Sequence, residues 1–229
     1  MRAPKSNPIR DPRINGVLGR LHKQARNQLP GLIANYGVAA LLAKLGRQPS
    51  EHVRTDYHRD KLIPIDPEQG WLIYLLCRSL GARRAVEFGT SFGVSTLYMA
   101  AAIRDQGGDG IVIGTEIEPT KAEKARAHFT EAGVDGLIDL REGDALQTLA
   151  DCGGPVDFLL VDGWVHLAEP IIRLMAPQLR PGAMVVCDNV GHFPAAFADY
   201  LAFVRNPANG FASALLPLRS GTELSVKTG

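Results

Sequence analysis

One stretch constrains this 229-residue chain more than any other: Arg84-Ala85-Val86-Glu87-Phe88-Gly89-Thr90-Ser91-Phe92-Gly93-Val94-Ser95-Thr96-Leu97. It reads as a short buried strand ending at Phe88, a glycine turn, and a helix continuing through Met99 and Ala102. Glycines belong where backbone bends tightly and admits a ligand with no side chain in the way. The helix behind them offers unpaired N–H groups and the positive end of its dipole to an anion. A dinucleotide turn wants G-x-G-x-x-G, but the residue two after Gly89 is Ser91. The spacing is E-x-G-x-x-x-G, which speaks against a nicotinamide cofactor.

From Arg84 the chain alternates between strand and helix. Strand candidates are 84–88, 111–115, 137–141, 156–161 and 183–187, with helices near 93–104, 120–132, 145–150 and 166–178. Continuously apolar runs such as Val156 to Val161 suit a parallel sheet covered on both faces. A helix near 194–205 follows, then 212–216, a turn at Arg219-Ser220-Gly221, and 223–227, which read as a hairpin with a reversed last strand. The expected fold is α/β: a doubly wound, seven-stranded, mostly parallel sheet behind an N-terminal helical extension. Residues 1–61 form an arm and a helical segment that caps the site or pairs subunits, and residues 62–229 form the main domain. Within the first part, residues 1–12 read as a mobile arm, and Pro30-Gly31 is expected to split two helices.

In an open parallel sheet, ligands sit beyond the carboxyl ends of the strands. Here those ends read Glu87-Phe88-Gly89, Glu116-Ile117-Glu118, Glu142-Gly143-Asp144, Asp162-Gly163-Trp164 and Asp188-Asn189. Any single acid there is a common helix cap, but five consecutive strands delivering carboxylates or amides to one edge is a site. A carboxylate closing the second strand suits a ribose diol, with Glu116 preferred over Glu118. Asp144 can accept from an adenine amino group or cap the helix behind it. Trp164 can lie on an adenine face or belong to the core. Asp162, Asp188 and Asn189 are hard oxygen ligands of the kind Mg²⁺ takes, with water and substrate filling the remainder. Caps or general bases are the alternative use of those carboxylates.

Taken together, these residues resemble the class I S-adenosylmethionine-dependent methyltransferases. The resemblance is to the metal-dependent catechol and caffeoyl-CoA O-methyltransferase group. It is carried by Pro67-Glu68-Gln69-Gly70, the Glu87-to-Thr96 motif, Glu116-Ile117-Glu118-Pro119, Val161-Asp162-Gly163-Trp164 and Cys187-Asp188-Asn189-Val190. It implies S-adenosylmethionine as cofactor and a small hydroxylated acceptor. Glu87, Gly89 and Gly93 would carry the methionine-side turn, with Ser95 meeting its carboxylate. Glu116 would bind ribose, Trp164 adenine, and Asp162, Asp188 and Asn189 Mg²⁺.

One position departs from that group. Three residues after the first metal aspartate the group has a lysine general base, and this chain has Val165 followed by His166. Imidazole suits proton removal near neutral pH, so His166 becomes the candidate base and His192 its rival, with His52 and His58 further off in the N-terminal segment. The bland alternative for His166 is a solvent-facing first-turn residue. A cofactor-binding regulator without catalysis is the non-enzyme reading, and Val165 is its best support; a nicotinamide-dependent oxidoreductase is the other alternative.

Charge separates the remaining function classes. Residues 1–60 hold eleven Lys/Arg against four acids, and residues 61–229 hold fourteen against twenty. The main domain thus lacks the basic excess of a nucleic-acid enzyme. No apolar stretch is long enough for a bilayer span and no signal peptide is visible. Cys77, Cys152 and Cys187 have no metal or redox spacing, and read as reduced, buried thiols of a cytoplasmic protein.

Overall fold

The computed structural model describes residues 7–45, 60–192, 194–218 and 221–229. His52 and His58 therefore lie outside the described residues, as do the first six residues of the expected arm and Arg219-Ser220 of the hairpin turn.

The chain opens with α1 (Pro12–Lys44). Helix α2 (Pro67–Leu80) has proline in its first turn and left-handed Gly81 at its C-terminus, the asymmetry that helix-end sterics favour. Then follow β1 (Arg84–Phe88), α3 (Val94–Arg104), β2 (Ile111–Glu116), α4 (Pro119–Ala132), β3 (Ile138–Glu142), the single turn α5 (Ala145–Thr148), β4 (Val156–Val161), α6 (Ala168–Met175), β5 (Leu179–Cys187), α7 (Ala198–Arg205), β6 (Phe211–Leu216) and β7 (Thr222–Lys227). The seven strands form one sheet ordered β3-β2-β1-β4-β5-β7-β6. Strands β1 to β5 pair in parallel and β7 runs antiparallel to both its neighbours. The expected sheet is observed, its last strand reversed.

The central strands β1, β2, β4 and the end of β5 are buried on both faces because helices cover both, whereas β3 and β6 at the two edges are partly exposed. One core gathers Ile14, Leu21, Ile73, Leu97, Phe129 and Phe158; the other, on the opposite face, gathers Val86, Leu159, Ile172, Val185, Tyr200 and Phe211. The first half of α1 belongs to the former, through Ile14, Val17, Leu18 and Leu21.

Two expectations about the N-terminal part fail. Pro30-Gly31 does not break the helix, because α1 runs through Pro30. Proline frees the carbonyl four residues back, and here Arg26 and Pro30 are both exposed, so water can take that carbonyl. Residues 7–12 are also not a loose arm. Ile9 is 2% exposed, the Asn15 carboxamide donates to the Ile9 carbonyl at 2.8 Å, and Asp11 accepts from the backbone N–H of Arg13 and of Ile14 while pairing with Arg104.

Candidate functional site

Strand register builds the site. Phe88 pairs with Thr115 on one side and Val161 on the other, and Val161 pairs with Cys187. The next residues along, Glu116, Gly89, Asp162 and Asp188, therefore form one row along the carboxyl edge. Backbone bonds extend that row past the strands, from Asp162 N–H to Phe88 O at 3.0 Å and from Asp188 N–H to Val161 O at 3.2 Å.

The glycine turn is braced from below. Glu87 is fully buried and accepts from Thr90 Oγ1 at 2.8 Å and Thr96 Oγ1 at 2.5 Å. Burial pushes its pKa up, against the pull of the Ser95, Thr96 and Thr90 hydroxyls. Its Oε1 meets no donor at hydrogen-bond geometry among the described residues, so an acceptor lies buried beneath the turn. Gly89 (φ 98) has no room for a side chain, since a Cβ would lie 2.7 Å from the Asp162 carbonyl and the Gly163 Cα. Gly93 (φ 83) precedes α3 and offers no side-chain cap, leaving that helix N-terminus open to an anion. Ser95, 5% exposed, stands in its first turn.

Glu116 closes β2 and is tied to the turn. Its Oε2 accepts from the Ser91 N–H at 2.7 Å and its Oε1 from the Glu118 N–H at 2.9 Å. Ser91 holds φ 50 to make that contact, a left-handed conformation that non-glycine residues rarely adopt. A cleft opens above, lined by Leu62, Ile63, Pro64, Gly89, Thr90, Ser91, Phe92, Val94, Ser95 and Asp162.

Asp162 faces both this cleft and the end of β5. The Asn189 carboxamide nitrogen lies 3.5 Å from Asp162 Oδ1 and 3.1 Å from Asp188 Oδ2. Asp188 is 6% exposed. Burial, then the neighbouring charges of Asp188 and Glu87, raises the Asp162 pKa well above the usual carboxylate range. Like charges this close ask for a cation or a proton. Among the described residues no three His, Cys, Asp or Glu side chains gather to hold an ion. With the Asn189 amide turned so that its oxygen rather than its nitrogen faces the pair, two carboxylates and one carboxamide oxygen make the donor chemistry of a hard divalent cation that keeps water in its shell.

The other expected residues divide. Asp144 caps α5, accepting from Leu146 N–H at 2.9 Å, and is exposed; the capping use of this residue is realised. Trp164 is 44% exposed, which removes the core-aromatic alternative and leaves its face open. His166 does not begin a helix. It lies in a 3-10 turn, Val165–Leu167, ahead of α6, exposed, with its ring 6.5 Å from that of Trp164. His192 is exposed in the turn after β5, its N–H bonded to Asn189 O at 3.1 Å. All three cysteines are buried and free.

Several positioning residues carry no motif and escape sequence reasoning. Leu62 to Pro64 form a cleft wall from outside the sheet. His128 Nδ1 lies 2.9 Å from the Phe92 carbonyl, and Lys121 and Lys124 reach the Phe92 ring at 5.9 and 5.4 Å. The hydroxyls of Thr90 and Thr96 were legible in principle, because a buried strand acid needs donors close by.

Residues 86–190 match the family model described as a methyltransferase domain. The chain is 36% identical over 129 residues to a catechol O-methyltransferase of Mycobacterium tuberculosis, covering 56% of this chain and 57% of that one. It is 34% identical over 182 residues to a Mycobacterium bovis protein named by inference as an O-methyltransferase, covering 71% and 77%. The chain thus spans little more than half the length of the first of these curated relatives. Among solved structures, the O-methyltransferase TomG of Streptomyces achromogenes, in complex with S-adenosylmethionine, superposes with a TM-score of 0.66 at 25% identity over 84% of this chain and 96% of that one.

Proposed function

Because the chain belongs to the S-adenosylmethionine-dependent O-methyltransferases, we propose that it methylates a hydroxyl of a small, catechol-like molecule with the help of Mg²⁺. The observation that carries this reading is the double role of Asp162. It lines the cleft above the glycine turn and also touches the Asn189 carboxamide beside Asp188, so cofactor loop and cation set share one wall.

S-adenosylmethionine, when bound, supplies a methyl group on a sulfonium that any aligned oxygen nucleophile can take. The α3 N-terminus and Ser95 receive its carboxylate. Glu116, preset by two backbone donors, would take the ribose hydroxyls, and Trp164 and Asp144 would serve the adenine. A divalent cation, when bound, lowers the pKa of a hydroxyl it touches. Asp162, Asp188 and Asn189 are the residues that would hold it. His166 takes the proton at an imidazole nitrogen, with His192 the rival.

Leu62, Ile63 and Pro64 shield the cleft from water, as a lid segment would. Pairing of subunits has its support in α1, where Leu29, Ile33, Val38, Leu41 and Leu45 are all exposed. Among the described residues no helix is long and apolar enough to cross a membrane.

The test is transfer of labelled methyl from S-adenosylmethionine to a panel of vicinal diols, with and without chelator. Turnover that stops with chelator and returns with Mg²⁺ supports the reading. Tight cofactor binding with no transfer to any diol sinks it in favour of a cofactor-binding regulator. Turnover indifferent to chelator removes the cation alone.

A further inference from the structure

The loop after β5 carries two of the three cation-set residues, and its shape is held by a turn from elsewhere in the chain. Asn189 has φ 63, a left-handed conformation that asparagine tolerates better than most residues. The next residue, Val190, is 2% exposed and donates its N–H to the Gly221 carbonyl at 3.1 Å. Gly221 lies in the turn joining β6 to β7 with φ +74, and a Cβ there would lie 2.6 Å from both the Cα and the N of Gly191. That contact is backbone on backbone, so no flexible side chain can yield.

The turn itself is anchored. Gly221 N–H donates to the Leu218 carbonyl at 2.7 Å. Thr222 is fully buried, and its Oγ1 accepts from Gln69 Nε2 of α2 at 3.1 Å. The cofactor loop hangs on other supports: Ser91 on Glu116, Thr90 on Glu87, and Phe92 on His128.

We propose that Gly221 is a positioning residue for the cation half of the site. Its backbone, pressed on Gly191, sets the bend at Asn189 that aims the carboxamide at Asp162 and Asp188. This rests on the cation reading above, and it predicts that the two halves of the site can be uncoupled. A side chain at position 221 spoils cation binding and leaves the cofactor half intact.

The experiment titrates Mn²⁺, followed by its free-ion paramagnetic signal, and S-adenosylhomocysteine by calorimetry. It compares the parent protein with Gly221→Ala and Gly221→Asn. Asparagine tolerates the left-handed backbone, so its effect isolates the contact with Gly191. Both variants are expected to bind Mn²⁺ at least tenfold more weakly, with S-adenosylhomocysteine affinity within twofold of the parent. Gly81→Asn is the control, because Gly81 has φ +59 and nothing within 4 Å of its absent Cβ; both affinities should hold there. Thr222→Val keeps the side-chain shape and removes the Gln69 bond, and weakens Mn²⁺ about threefold even where the Gly221 variants fold poorly. A parent that binds Mn²⁺ and Gly221 variants that match it overturn the positioning role alone. Equal weakening of both ligands overturns it too, as a general loss of structure. A parent that binds no Mn²⁺ overturns the cation reading and the positioning role with it.

Discussion

Replacing Glu116 by alanine tests the cofactor half of the site most directly. The carboxylate is 8% exposed and already holds two backbone N–H groups, of Ser91 at 2.7 Å and Glu118 at 2.9 Å. Its remaining lone pairs are the ones a ribose diol would use. A hydrogen bond to a charged group contributes about 1.5–3 kcal/mol. At 1.4 kcal/mol per factor of ten, losing the ribose acceptor weakens S-adenosylhomocysteine binding roughly 10- to 150-fold. Ser91 also loses the partner that holds its left-handed backbone, which pushes the result towards the upper end. Glu116→Gln keeps one neutral acceptor and should lose less. Glu118→Ala keeps the backbone N–H that Glu116 uses, so affinity should stay within about threefold on the same scale. Calorimetric titration of the parent and the three variants reads all of this. A Glu116→Ala protein binding within twofold of the parent would refute the assignment, and a large loss in Glu118→Ala instead would transfer the ribose role to Glu118.

Three further outcomes are expected. Asp188→Ala should abolish methyl transfer while changing S-adenosylhomocysteine affinity by less than about twofold, roughly 0.4 kcal/mol; a parallel loss of both would show that Asp188 serves the cofactor instead. His166→Ala should remove the acid limb of the pH–rate profile and lower kcat roughly 10²- to 10⁴-fold, whereas an unchanged limb with less than a tenfold loss would pass the role to His192. His22, buried against Tyr98 with Nε2 3.1 Å from the phenol oxygen, has its pKa lowered by burial and then by Arg26, against the opposing pull of Asp66. Its folded pKa lies below the unfolded value of about 6.5, so its contribution is intact above that value and is lost as pH falls below it. Thermal melts at pH 7.5 and 5.5 should therefore show a larger drop for the parent than for His22→Gln; equal drops would exclude His22 as a source of acid sensitivity.

What the sequence showed and what it hid divide along a physical line. Strand ends are legible because a buried parallel strand is a continuous apolar run, and the first polar residue after it marks the ligand edge. Asp162 and Asp188 fall on that edge by this rule alone and Glu116 closes its strand there, whereas Glu87 lies inside β1, fully buried. Contacts between elements distant in the chain have no such signature. Nothing in Gly221 announces Gly191, and nothing in Leu62 announces Asp162. Local rules also lost to tertiary context: Pro30 is a strong breaker in isolation, but on an exposed helix face it disturbs only a carbonyl that water can reach. Asp144 shows the reverse, since its local capping role was legible and is realised.

The order of strands has a consequence for how the molecule is made. Strand β7 is the last of the seven to leave the ribosome, and it inserts between two strands already synthesised, β5 and β6. Until it does, β5 presents an unpaired edge, which invites pairing with another chain. The residues proposed for the cofactor half lie on or just after β1, β2, β3 and β4, all made before β7. The neighbouring half has to wait for the final hairpin. A chain that has not yet made residues 222–227 leaves that margin of the sheet unpaired, beside the loop that carries Asp188 and Asn189.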